Sequence, residues 1–328
     1  MPARGIDEPP FDLLSYARPG PGRRDRLTPE QLQRIARTVG RTPEVMVKVL
    51  SHGASDLGAV RRHLDYIGRK GHVLLETDDD QRLRGEHVSR NLIDDWDLEL
   101  DAQRARADLV SRPGRQPPGL VHKLVFSMPP GTLPEKVLGA VRNFCREEFG
   151  LKHRYAMVLH TDEPHPHVHV ILKAMSEEGI RLNIRKDTLR DWREKFARHL
   201  RTFGIEANAT PRAVRGQHQS RKVDAIYRAQ QRGDSQHTLE RVQAVAASMV
   251  SGEKFLESGR SKLIETRRQV EQVWFAISDA VITNGDSALA ERIHEFVAKM
   301  APPRTEREQI AEQLRRQLEK ARVPERRR

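Results

Sequence analysis

Four of the chain's fourteen histidines fall within ten positions, in the segment His160-Thr161-Asp162-Glu163-Pro164-His165-Pro166-His167-Val168-His169. Alternate residues of a β-strand share a face. His167 and His169 therefore project together, while Val168 and Val170 turn to the opposite side, toward a core. The run Tyr155–His160 is a second strand, and residues 161–166 are short enough to join the two as a hairpin. His160 then lies across from His167, and three imidazoles converge on one point. Three protein ligands leave coordination positions open, as in catalytic rather than structural metal sites. Glu163 or Asp162 can add a further ligand or orient a histidine from behind. His165 has the parity of His167 and His169, but Pro166 breaks the strand before reaching it.

The elements that must position this cluster are legible in part. Val45–Leu50 reads as a first strand. Leu57, Val60, Leu64 and Ile67 recur at helical spacing, so 57–67 is a helix. Val73–Glu76 is a short strand, 88–107 an acidic helix and 111–119 a loop. Val121–Ser127 is a strand ended by Met128-Pro129-Pro130-Gly131. Helices follow over 133–148 and 187–203, flanking the strands at 155–160 and 167–174. The domain is α/β (α+β), running over 44–215. Before it, residues 1–27 read as a flexible arm rich in Pro, Gly and Arg. A helix within 28–43 opens on Thr28-Pro29-Glu30-Gln31, a capping box with proline in the first turn. After 216 strand signals stop. The region 216–328 is helical and basic, with Leu256, Leu263, Val270 and Ile277 repeating every seven residues beside Trp274 and Val281. That is the seam of a coiled coil or bundle helix, suited to docking a partner.

The chain has 328 residues, with 58 Lys and Arg against 46 Asp and Glu, a net charge of +12. A small acidic substrate does not require that surplus, whereas DNA or RNA accounts for it. A single cysteine, Cys145, excludes an intrachain disulfide framework and a four-cysteine zinc site. It suits a reducing compartment. No apolar run reaches the ~20 residues of a membrane span, and the N-terminus lacks the apolar stretch of a signal peptide. A cytoplasmic protein without membrane insertion is expected, unless a dedicated machine exports it.

The segment His160 to His169 resembles the histidine–hydrophobe–histidine motif of the HUH endonucleases. Within them it is most similar to the third motif of the relaxase, or mobilisation nuclease, family, to which the T-DNA border endonuclease belongs. Arg62-His63-Leu64-Asp65-Tyr66-Ile67-Gly68-Arg69-Lys70-Gly71 resembles the first motif, and His122-Lys123-Leu124-Val125-Phe126-Ser127-Met128-Pro129 the second. The resemblance covers about 45–210. It implies a central antiparallel sheet flanked by helices, a divalent metal ion (Mg, Mn or Zn) on His160, His167 and His169, and a tyrosine nucleophile. A three-histidine set suits Zn, Mn, Ni or Co better than Mg. The implied partners are single-stranded or supercoiled DNA at a transfer origin, accessory relaxosome proteins and a type IV secretion coupling protein. The Arg-rich end, Arg322 to Arg328, resembles the export signals of such proteins.

The chain has four tyrosines: Tyr16, Tyr66, Tyr155 and Tyr227. Tyr66 lies in the first motif, before the histidines, which is the relaxase order. In the replication initiators and transposases of the same superfamily, an alternative reading, the tyrosine follows them. Tyr155 does not share a face with His160 and belongs to the core. After Tyr66, the turn at Arg69 and Lys70 offers cations for phosphates. His122 is either a site residue or a strand-end histidine held by a carbonyl. Ser127 either helps bind DNA or is an ordinary strand-end serine. Two other classes stay open: a metal-stabilised DNA-binding module without activity, and a metal-dependent hydrolase that uses water. Whichever applies, the net charge predicts that nonspecific DNA affinity falls steeply as salt rises, because bound phosphates release counterions. Fluorescence anisotropy against salt concentration checks this, and an affinity insensitive to salt contradicts it.

Overall fold

The structure, a computed structural model, describes residues 27–50, 54–110, 117–217, 236–251, 257 and 259–322. The expected arm up to residue 26, Leu256 and the last six residues lie outside the described residues, as do Tyr16 and Tyr227. In chain order the elements are α1 (Pro29–Val39), β1 (Met46–Leu50), α2 (Leu57–Ile67), β2 (Leu75–Thr77), β3 (Arg82–Leu83), α3 (Val88–Asp95), α4 (Leu98–Val110), β4 (Val121–Ser127), α5 (Pro134–Phe149), β5 (Tyr155–His160), β6 (His167–Lys173), α6 (Lys186–Thr202), α7 (Gln236–Ser251), α8 (Arg260–Thr283), α9 (Ser287–Ala298) and α10 (Glu306–Arg322). They divide into two compact units. One is Gly40–Ala209. The other joins Met1–Val39 to Thr210–Arg328.

The first unit is built on a six-stranded sheet in the order β1-β4-β6-β5-β2-β3, with every neighbouring pair antiparallel. It has the α+β architecture that the strand pattern implies. On one face α5 and α6 pack onto the central strands. Phe126 of β4 meets Phe144 of α5 at 4.9 Å and Phe196 of α6 at 5.2 Å between ring centroids. Val168 and Val170 are fully buried in this layer with Tyr155. Tyr155 is therefore a core residue, as its parity suggests. On the other face α2, α3 and α4 bury Val60, Leu64, Ile67, Leu92 and Leu98 against Ala156, Val158 and Ile171.

Local chemistry sets the helix that matters most here. Asp56 caps α2 by accepting the Ala59 N–H at 2.7 Å. The buried stripe Val60, Leu64, Ile67 then fixes its rotation. Gly68 ends it. The acidic segment expected as one helix over 88–107 is instead two. The break is at Trp96, which is buried, and Asp97, which takes a left-handed φ of 50°. Burying Trp96 requires the chain to turn, and that outweighs continuous helix. The strand expected at Val73–Glu76 starts later, at Leu75, and pairs with a two-residue strand that the pattern does not reveal.

The second unit is helical among its described residues. The α1 capping box is present: Thr28 donates its N–H to Gln31 Oε1 at 2.9 Å, and Gln31 returns one to Thr28 Oγ1 at 3.2 Å. Part of the seam on α8 is buried within the unit. Val270, Val273, Trp274, Ile277 and Val281 are covered by Ile35 of α1 and by Leu289, Ile293 and Phe296 of α9. The half of the expected seam from Val270 to Val281 is thus buried within this unit, while Leu263 is half-buried outside that cluster. No helix among the described residues is long and apolar enough to cross a membrane.

After α2 the chain reverses through three successive positive φ values: Arg69 at 50°, Lys70 at 53° and Gly71 at 84°. A Cβ on Gly71 would lie 2.2 Å from the Gly85 carbonyl oxygen, and the Gly85 N–H donates to the Gly71 carbonyl at 3.1 Å. Only glycine fits there. Replacing Gly71 with Ala is expected to destabilise the first unit by at least about 2 kcal/mol. Urea unfolding measures this, and a loss below about 0.5 kcal/mol contradicts the close approach.

Candidate active site

The hairpin register is the one that brings the histidines together. His160 pairs directly with His167 across β5 and β6. His160, His167 and His169 offer nitrogen atoms within 4.8 Å of one another. Their ring centroids are 5.2 Å apart for His160 and His167, 4.7 Å for His160 and His169, and 5.3 Å for His167 and His169.

Backbone carbonyls fix the tautomers of two of them. His160 Nε2 lies 2.7 Å from the Ile67 carbonyl oxygen, which can only accept, so Nε2 carries the proton and Nδ1 keeps its lone pair. His167 Nδ1 donates to the His165 carbonyl at 3.2 Å, leaving Nε2 free. The Nδ1 atoms of His160 and His169 are buried without a hydrogen-bond partner. Burial also keeps these rings neutral. It pushes His169 down to about 3, helped by His160 and His167, and lowers His160 against the pull of the Ile67 carbonyl. Buried, neutral imidazoles with orphaned lone pairs suit a divalent transition metal. Glu163, His165 and His167 form an outer, overlapping group, with Glu163 Oε2 3.1 Å from His165 Nε2.

Tyr66 occupies the last turn of α2, 54% exposed. Its ring meets His169 edge-on, with centroids 6.4 Å apart and planes at 89°. His63, one turn earlier on the same helix, stacks beside it at 6.4 Å and meets His169 at the same distance. Burial pushes His63 down to about 4, with Lys123 adding to the effect. Arg69 lies over the tyrosine ring, its guanidinium carbon 5.1 Å from the centroid, and forms an ion pair with Asp162. Burial opposes charge on Arg69, but hydrogen bonds to Tyr66 and Asp162 outweigh it and raise its pKa. Asp162 thus faces Arg69 and is not among the grouped ligand atoms.

The remaining expected positions separate. Lys70 is exposed in the left-handed turn beside Arg69. Ser127 is the register partner of His167, buried, with its hydroxyl donating weakly to the Met128 carbonyl at 3.4 Å. His122 lies on the opposite face of the sheet, its Nε2 3.1 Å from the Leu182 carbonyl. His63 escapes the sequence reading. The signal was its spacing: three residues before Tyr66 is an adjacent position on a helix.

Comparison with known proteins covers the same stretch of the chain. Positions 66–205 match the family model of the MobA/VirD2-like relaxase nuclease domain. That stretch is thus similar to the nuclease region of the relaxase, or mobilisation nuclease, family. A 43 kDa relaxation protein of Salmonella typhimurium is 26% identical over 169 residues, which cover 49% of this chain and 41% of that protein. The chain therefore spans about two fifths of the length of the curated relative it matches. The relaxase match begins at Tyr66 itself and contains all three clustered histidines.

Replacing His169 with Ala is expected to weaken binding of Mn or Zn on the order of a hundredfold or more, while His165→Ala costs less than about tenfold. Isothermal titration measures both. Equal losses contradict the ligand set of His160, His167 and His169.

Proposed function

We propose that the chain is a DNA relaxase, a metal-dependent transesterase in which Tyr66 attacks the scissile phosphate of one strand at a transfer origin. The observation that carries this is the edge-on approach of an exposed tyrosine to a cluster of three histidines. The relaxase match over 66–205 supports it, as does the name of the Salmonella relative.

The chemistry fits these groups. The Tyr66 oxygen gives up its proton to solvent and forms a bond to phosphorus, the bond to the 3′ oxygen breaks, and that oxygen takes a proton from solvent and leaves as a hydroxyl. The 5′ end stays on the tyrosine. A phenol ionises near pH 10, well below an aliphatic hydroxyl. The phosphotyrosyl ester therefore keeps the energy of the broken linkage and can be resealed without ATP. His160, His167 and His169 would hold the divalent ion, which when bound polarises a nonbridging phosphate oxygen. Arg69 and Lys70 present positive charge where the phosphate must arrive. His63 supports the tyrosine ring without adding a charge of its own.

Transfer between cells, accessory relaxosome proteins and a type IV secretion coupling protein are what this function implies. Partner docking or export would fall to the helical, basic region after residue 216. A supercoiled plasmid carrying the cognate origin should be nicked on one strand when Mn or Zn is supplied. Tyr66→Phe should lower nicking by about a thousandfold or more while single-strand binding changes little. If Tyr66→Phe still cuts, water is the nucleophile and the chain is a hydrolase.

A further inference from the structure

Asp162 sits in the loop of the histidine hairpin, between two of the clustered residues, yet its carboxylate turns to the far side of the site and pairs with Arg69 of the tyrosine turn. The two residues are 93 apart in sequence. Their side chains are 35% and 53% exposed. An ion pair so open to water contributes little to stability and exchanges readily. It is not a strut holding the loop to the helix. That link is made behind it by the buried hydrogen bond from His160 to the Ile67 carbonyl.

The backbone, by contrast, is arranged at some expense to aim Arg69. Arg69 and Lys70 both take left-handed conformations, which are unfavourable for residues with a Cβ. The turn is locked by Lys70 N–H to the Asp65 carbonyl at 2.7 Å, and by Gly71 against Gly85. The result sets a guanidinium over the Tyr66 ring. A guanidinium binds carboxylate and phosphate oxygens through the same fork of N–H donors. The carboxylate it holds here has the charge, and the hydrogen-bonding pattern, of the group expected to arrive there.

We infer that Asp162 occupies on Arg69 the place of a DNA phosphate, so that the site rests latched and an incoming strand opens it by displacing Asp162. The inference rests on the relaxase reading for the identity of the strand. It adds that affinity is set partly by an internal competitor. The competition has a direction: removing the Asp162 charge frees Arg69 and tightens binding, and the gain exists only while Arg69 is present. If Asp162 merely positioned Arg69, removing it would loosen the arginine and weaken binding.

The test uses the full chain and a fluorescein-labelled oligothymidylate of about 20 nucleotides, followed by anisotropy at low and moderate salt. Asp162→Asn, which keeps the side-chain shape, is expected to tighten binding roughly two- to fivefold at low salt. Asp162→Ser should do the same, which guards against a defect peculiar to asparagine. Arg69→Ala should weaken binding, and adding Asp162→Asn to it should bring no further change. Unchanged or weaker binding by both Asp162 variants overturns the latch. So does a gain that persists without Arg69, because that gain would come from net charge alone. Nicking by the wild-type chain is scored separately. A chain that shows the Arg69–Asp162 coupling but never forms a tyrosyl adduct keeps the latch and loses the transesterase reading. One that nicks without the coupling does the reverse.

Discussion

The hydrogen bond from His160 Nε2 to the Ile67 carbonyl, 2.7 Å long and buried, joins the two halves of the site. One end belongs to a strand of the central hairpin. The other belongs to the last turn of α2, one residue past Tyr66. A net hydrogen bond of this kind is worth about 1 kcal/mol, but its consequence is geometric. It fixes which His160 nitrogen carries the proton and so which faces the other two histidines. It also sets the distance between the histidine cluster and the tyrosine. A carbonyl at that position is free to accept because the helix ends there, and terminal carbonyls lack a partner within the helix.

The rest of the fold keeps both ends of that bond in place. The β5–β6 pairing cannot slip by one residue, since a slip would turn His167 and His169 into the aromatic layer and Val168 and Val170 out of it. The α2 stripe of Val60, Leu64 and Ile67 prevents the helix from rotating. Rotation by one residue would carry Tyr66 and His63 away from His169 together. The left-handed turn that follows adds Arg69 from above. The hairpin is anchored in one buried layer and α2 in the layer across the sheet, so the site inherits the rigidity of the sheet rather than that of its loops.

Much of this is legible in sequence because it depends on short-range periodicity. Period two placed Val168 and Val170 opposite the histidines and put Tyr155 in the core. Period 3.6 gave α2 its limits. The capping box of α1 was readable from Thr28 and Gln31. What escaped depends on contacts between distant segments. Nothing in the order of residues tells that Asp162 faces Arg69 instead of a histidine. The α8 seam was visible as a heptad pattern, but its cover by α1 was not, since about 230 residues separate them. Trp96 broke an otherwise helical stretch for a tertiary reason, its own burial, to which propensity is blind.

That Tyr66 is the attacking group is the point on which the rest turns, and it can be read directly on the product. The chain is incubated with DNA of its transfer origin and a divalent metal, denatured, treated with nuclease and digested to peptides for mass spectrometry. Attack by Tyr66 predicts that the peptide containing residue 66 carries a nucleotide through its phenolic oxygen, and that the cut strand ends in a free 3′ hydroxyl. A free 5′ phosphate with no modified peptide, or a nucleotide on Tyr155 or another tyrosine, would contradict it.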